Sequence, residues 1–190
     1  MNTPMNQAVD AAVSEGMTVM TAAGNAGVDA CDTSPASSKS AGMWPFPSLP
    51  LTKTHSLILF WVDYKSPKLH QRRSNADPFS FTIVTVGAIT SQDQRVFNYG
   101  KCINVFAPGA DIWSSFNTDD RSYMNLTGTS MASPHVAGLA AYLLARENLT
   151  SPEDVRDRIT QLATPDKVVN AGEGSPNLIA FNGNPEGRSK

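Results

Sequence analysis

The sequence lacks any long apolar run. Its strongest, Leu57 to Val62, is far too short to cross a bilayer. It also lacks an excess of charge of either sign. Net charge is −2 and pI about 5.9, a poor basis for holding nucleic acid or an anionic membrane surface. The N-terminus, MNTPMNQ, has neither the basic n-region nor the apolar h-region of a signal peptide. No internal repeat is found. Charged residues are 17% against 41% hydrophobic, which excludes a disordered or fibrous chain. What remains is a globular chain of 190 residues, enough for one ordinary domain with its own core. Histidine is scarce, with three in the chain, and so is cysteine, with two. Cys31 and Cys102 either pair, implying an oxidising compartment, or stay as free thiols.

The pattern along the chain alternates helix and buried strand. Residues 5–15, MNQAVDAAVSE, place Ala8, Val9, Ala12 and Val13 on one helical face, and Gly16 is a natural stop. MTVMTAA at 17–23 reads as a buried strand ending in the turn-forming GNAG at 24–27. A helix leading into a buried strand predicts an α/β fold with a parallel sheet. FTIVTVGA at 81–88 and INVF at 103–106 predict further strands, and Ile112 to Phe116 a short one. Residues 131–146 predict the longest apolar helix, and TSPED at 150–154 opens another. There Ser151 is the N-cap, Pro152 takes the first helical position and Asp154 the capping position. SPNLIAFN at 175–182 reads as a short extended tail.

Residues 38–79 sustain no period and are interrupted by prolines. A structureless loop of that length is uncommon inside a compact domain, so the stretch reads as an insertion, either a surface loop or non-coding sequence read through in frame. Asn125-Leu-Thr and Asn148-Leu-Thr match the glycan acceptor pattern. Asn125, close to Ser130, reads as unmodified, and Asn148 is left open.

GTSMASPHVAG at 128–138 sets Ser130 just before an apolar helical run. At about 100° per residue, the five positions from Ser130 to His135 turn the side chain roughly 140° away. A general base must lie within hydrogen-bond reach of its nucleophile, so His135 is read as a packed, hydrogen-bonded helix residue. Pro134 cannot donate to the Ser130 carbonyl, which puts Ser130 in the first helical turn. There, free N–H groups and the positive end of the helix dipole favour an oxyanion. On the residues alone, Ser130 is either a helix cap or a nucleophile.

GTSMASPHVAG resembles the nucleophile motif of the subtilisin-like serine proteases, peptidase family S8. VMTAAGN at 19–25, DACDTSPAS at 29–37, TVGA at 85–88, NYGKC at 98–102 and VFAPG at 105–109 continue the likeness in order. Together they are most similar to the proteinase K branch, and within it to the fungal cerevisin and alkaline-protease group. The resemblance covers residues 5–37 and about 81–183. It implies a subtilisin-like α/β fold, a parallel β-sheet flanked by helices, with residues 1–37 and 80–185 forming the C-terminal part of the domain, 38–79 the insertion and 186–190 a tail. It implies Ser130 as nucleophile and Asn25 as side-chain donor to the oxyanion. Ala22, Ala23 and Gly24 become one wall of the substrate pocket, and Cys31 and Cys102 a disulfide. It implies serine endopeptidase activity on protein or peptide substrates, a propeptide-type inhibitor as partner, a vacuolar or secreted location, and no cofactor except calcium. Asn104 stands where that branch has a calcium-binding aspartate, which argues against the metal.

The family's base and orienting aspartate lie on D-[ST]-G and H-G-T-H type segments before the oxyanion asparagine. No such segment occurs in this sequence. His55 and His70 fall in the insertion, and Asp32-Thr33-Ser34 belongs to another matched segment. The expectation is therefore a chain truncated at its N-terminus that is inactive alone. The alternative is a catalytically dead remnant or binding module of the same fold. A half sheet is also expected to expose apolar faces and an unpaired edge.

Overall fold

The computed structural model describes residues 2–38 and 83–184. The expected insertion beyond Ser38, with His55 and His70, and the 186–190 tail lie outside the described residues.

Helix α1 runs Thr3–Ser14. The Asn2 side chain caps it by accepting the Met5 N–H at 3.2 Å, and Pro4 sits in the first turn, where its missing N–H costs nothing. Gly16 ends it with φ +86°. Strand β1, Val19–Ala22, follows. After a short 3-10 turn at Ala30–Asp32 comes β2, Ile83–Ile89, in which all seven residues are buried. Such a run without polar alternation marks the centre of a parallel sheet.

The other strands are β3 (Arg95–Val96), β4 (Val105–Pro108), β5 (Ile112–Ser115), β6 (Tyr123–Leu126), β7 (Thr164–Pro165) and β8 (Leu178–Ile179). The main sheet has the order β1-β2-β4-β8-β7, with β3 pairing β2. β1, β2, β4 and β8 are mutually parallel, in register Val19 to Ile83, Val86 to Val105 and Phe106 to Ile179. β3 and β7 add antiparallel pairs. β5 and β6 form a separate hairpin that leads directly into α2 (Thr129–Arg146). Helix α3 spans Pro152–Leu162. Its N-cap Ser151 accepts the Asp154 N–H at 3.1 Å, while the Asp154 carboxylate accepts the Thr150 N–H and hydroxyl.

Helix α2 crosses β1, β2 and β4. Its buried Ala132, Val136, Ala137, Ala140 and Leu143 pack on Met20, Val84, Val86 and Val105, with Val155 and Ile159 of α3 completing the cluster. Three alanines in that stripe let the helix backbone lie close to the strands. On α1, Val9 and Val13 pack on Val19 and Ile83. The expected exposed apolar faces are thus not found at β1. Val19, Met20 and Thr21 are all buried beneath α1 and α2, although β1 ends the sheet among the described residues.

One further expectation is corrected. His135 is not packed but exposed, and its ring Nδ1 lies 2.8 Å from the Met131 carbonyl of the preceding turn. His135, the seventh residue of this helix, faces solvent because the apolar stripe runs through 132, 136 and 140. Among the described residues, no helix is long and apolar enough to cross a membrane.

Candidate active site

The site gathers where β1 ends, where α2 begins, and where the loop after β4 passes between them. Helix α2 starts two residues earlier than a Ser130 cap would require. Gly128 holds the N-cap position, and Ser130 is the second residue of the helix. The reading of Ser130 as a cap is therefore overturned. Met131 and Ala132 donate to the Gly128 carbonyl at 2.9 and 3.3 Å. The N–H of Ser130 lies in the first turn, where helical donors have no partner within the helix. Half-buried Ser130 thus sits at the positive end of an 18-residue helix.

Backbone packing fixes this end. The Gly128 N–H donates to the Gly109 carbonyl at 2.7 Å. A Cβ on Gly109 would lie 2.6 Å from that of Ala88 and 2.9 Å from the Gly128 carbonyl oxygen. Only glycine lets the β4 exit and the helix start approach so closely.

Asn25 reaches the same point across 104 residues. Its Oδ1 accepts the Thr129 N–H at 2.9 Å and the Thr129 hydroxyl at 2.8 Å. With the oxygen held, the Nδ2 group is turned the other way, toward Gly128, whose Cβ position is 3.2 Å from it. The Thr129 Oγ1 also accepts the Gly24 N–H at 3.1 Å. Asn25 is exposed, so the amide is oriented without being sealed away.

A buried residue supports the loop from below. Asn98 has no exposed surface. Its Nδ2 donates to the Ala23 carbonyl at 2.7 Å, and its Oδ1 accepts the N–H groups of Ala26 and Val28 at 3.0 and 3.2 Å. Thr33 adds a second donor to Ala23, at 2.9 Å. Gly24 turns between them with φ +100°, and a Cβ there would lie 2.5 Å from the Asn98 Nδ2. Asn98 and Thr129 both lie within matched motifs, yet neither was singled out from the sequence. The available signal was an amide inside a turn-rich stretch, which reads as a solvated turn residue until the fold buries it.

Of the three expected wall residues, Ala22 and Gly24 are half-buried, and Ala23 has no exposed surface. Ala23 therefore backs the loop from the core, beside Ala30, Ile103 and Phe106. Cys31 and Cys102 are joined in a disulfide that closes a separation of 71 residues, tying the segment after the Asn25 loop to the entry of β4. The Asn104 Oδ1 accepts the Thr85 N–H at 2.7 Å. That side-chain oxygen is therefore engaged with the sheet, and the amide lacks the negative charge that an aspartate would bring to a cation. Among the described residues, no group of three or more His, Cys, Asp or Glu side chains converges.

The arrangement is a serine in the first turn of a helix beside an oriented amide, on a mainly parallel α/β sheet. The model of the subtilase family, peptidase S8, matches residues 1–179, and the chain belongs to that family. It is 37% identical to Subtilisin-like protease 2 of Pseudogymnoascus destructans over 182 residues, covering 95% of this chain and 35% of that protein. It is 37% identical to Alkaline protease 1 of Aspergillus flavus over 181 residues, covering 94% and 34%. The crystal structure of a cold-adapted subtilisin-like serine proteinase superposes with a TM-score of 0.68 at 31% identity, over 96% of this chain and 51% of that one. The chain thus spans about a third of the length of these curated relatives.

Proposed function

We propose that this chain supplies the nucleophile and the oxyanion hole of a subtilisin-like serine endopeptidase acting on protein or peptide substrates. The observation that carries the reading is the contact of Asn25 with Thr129. With its Oδ1 held on Thr129, the Asn25 Nδ2 group lies beside Gly128, at the start of the turn that carries Ser130. In this reading Ser130 attacks the scissile carbonyl, forming an acyl-serine. The Ser130 N–H and the Asn25 Nδ2 stabilise the tetrahedral oxyanion. Losing one such donor costs about 3 kcal/mol, a magnitude measured on a subtilisin. Ala22 and Gly24 flank the substrate residue before the scissile bond.

The reaction also needs a base and a carboxylate to orient it. His135 is exposed on the far side of the first helical turns, bonded to its own helix, and serves neither role. We infer that this chain alone is catalytically quiet, since loss of the base lowers kcat by roughly a millionfold, again a subtilisin magnitude. The Cys31–Cys102 disulfide supports an oxidising setting, secreted or vacuolar.

Labelling with a fluorophosphonate probe tests both parts, with Ser130→Ala as control. The chain alone should label no more than the control. Supplied with a segment carrying the D-[ST]-G and H-G-T-H motifs, it should gain labelling that Ser130→Ala abolishes. Strong labelling of the chain alone would overturn its quiescence. Labelling of the supplemented protein that survives Ser130→Ala would overturn the nucleophile.

A further inference from the structure

We propose that Asn148 is an N-glycan acceptor, with the first sugars resting in the groove between the end of α2 and α3. The two acceptor patterns in the sequence lie at opposite ends of α2. That helix has 18 residues and is about 27 Å long at the helical rise. Asn125 stands at its start, inside strand β6, paired across the hairpin with Trp113. The third residue of its pattern, Thr127, is fixed by accepting the Asp111 N–H at 2.9 Å. A glycan there would project beside Ser130, so Asn125 stays bare.

Asn148 stands at the other end, just past the C-cap Glu147. Burial alternates through its pattern: Asn148 and Thr150 are exposed, while Leu149 turns inward against the α2–α3 core. The asparagine and the threonine of the acceptor pattern are therefore both exposed residues. The loop is held by Asp154, whose carboxylate accepts the Thr150 hydroxyl at 2.9 Å and its N–H at 3.0 Å, so a large group on Asn148 disturbs no packing. Beside it lies an open groove of about 700 Å³, lined by Leu149, Asp154, Asp157 and Gln161. Arg158 also lines it, paired with Glu147 at 2.8 and 3.0 Å. Carboxylate and amide groups around one apolar side chain suit the hydroxyls and the apolar face of a sugar ring.

The Cys31–Cys102 disulfide gives the second requirement, an oxidising compartment, where the transferase and its polyprenol pyrophosphate oligosaccharide donor reside. In the transfer, Asn148 Nδ2 bonds to the sugar C1 and the bond from C1 to the pyrophosphate oxygen breaks. The amide proton passes to a base of the transferase, and the lipid pyrophosphate leaves with the electron pair. The assignment of Asn148 does not depend on the role of Ser130; only the exclusion of Asn125 rests on that reading.

The test is expression of the whole chain behind a secretion leader in yeast. Glycopeptides from medium and membrane extract are then released by glycosidase in heavy-oxygen water. The expected result is heavy-oxygen aspartate at 148 and unmodified Asn125. Asn148→Gln and Thr150→Ala should abolish the gel shift, and Thr150→Ser should keep it. Unmodified Asn148 in chains whose disulfide has formed would overturn the proposal, as would a glycan at Asn125 instead.

Discussion

Replacing Asn98 by alanine should loosen the Asn25 loop while leaving the sheet intact. The side chain makes three hydrogen bonds, to the Ala23 carbonyl and from the Ala26 and Val28 N–H groups, and has no exposed surface. Each is worth about 1 kcal/mol net, giving about 3 kcal/mol in all. The Ala23 carbonyl keeps Thr33 as a donor. Residues 26 and 28 are exposed, so water can reach their freed N–H groups, and the total should not grow toward the full cost of buried orphans. If those bonds set the local opening of the loop, the exchange protection of Ala26 and Val28 amides falls about a hundredfold. Native-state hydrogen exchange reads this residue by residue. Amides of β2, which pair with β1 and β4 rather than with Asn98, serve as the internal control. Protection at 26 and 28 changing by less than about threefold would show that these bonds do not hold the loop. Equal losses in β2 and the loop would show that the loop is not a separate unit.

Two further outcomes follow from the structure. The disulfide closes a separation of 71 residues, so its removal in Cys31→Ser/Cys102→Ser should cost about 4 kcal/mol by loop-closure entropy. Urea unfolding with and without the bond checks this, and an unchanged midpoint would refute it. At Asp154, partial burial raises the carboxyl pKa, but hydrogen bonds from Thr150 and Ser151 outweigh it and hold the pKa below its ordinary value. A carboxylate depressed on folding gives stability that is full above the ordinary carboxylate range and is lost as pH falls through the folded value. Asp154→Asn should therefore flatten the acid limb of the stability–pH profile, and an identical limb in the variant would refute the assignment.

How legible each part was depended on the range over which it is determined. Helices α1, α2 and α3 were readable because capping and apolar spacing act within one or two turns: Gly16 stops α1, and Ser151 and Pro152 open α3. Strand β2 was readable because a fully buried parallel strand needs no alternation. Strands β3, β7 and β8 have two residues each, too few for any period, and exist only because a neighbouring strand offers them partners. Strand β6 is exposed along its whole length and carries no burial pattern to detect. His135 was misplaced because its helical angle relative to Ser130 says which side it leaves, not what covers the side it reaches.

The site divides in the same way. Ser130 was legible because Gly128 and Pro134 mark the helix start within a few residues. What turns an ordinary turn asparagine into an oriented donor is not local. Asn25 is aligned by Thr129, 104 positions away, and its loop is shaped by Asn98, 75 positions from the carbonyl it holds. Those contacts exist only once β1, β2 and β4 lie side by side, because β1 delivers Asn25 and β4 delivers Gly109 to the same end of α2. The parallel register therefore does the chemical work of the motif: all three strands point their C-terminal ends at the helix start. A single shift of β1 against β2 would move Asn25 by about 3.3 Å and separate its Oδ1 from Thr129. The orientation of the Asn25 amide against Thr129 is thus a consequence of sheet register and not of the local sequence alone.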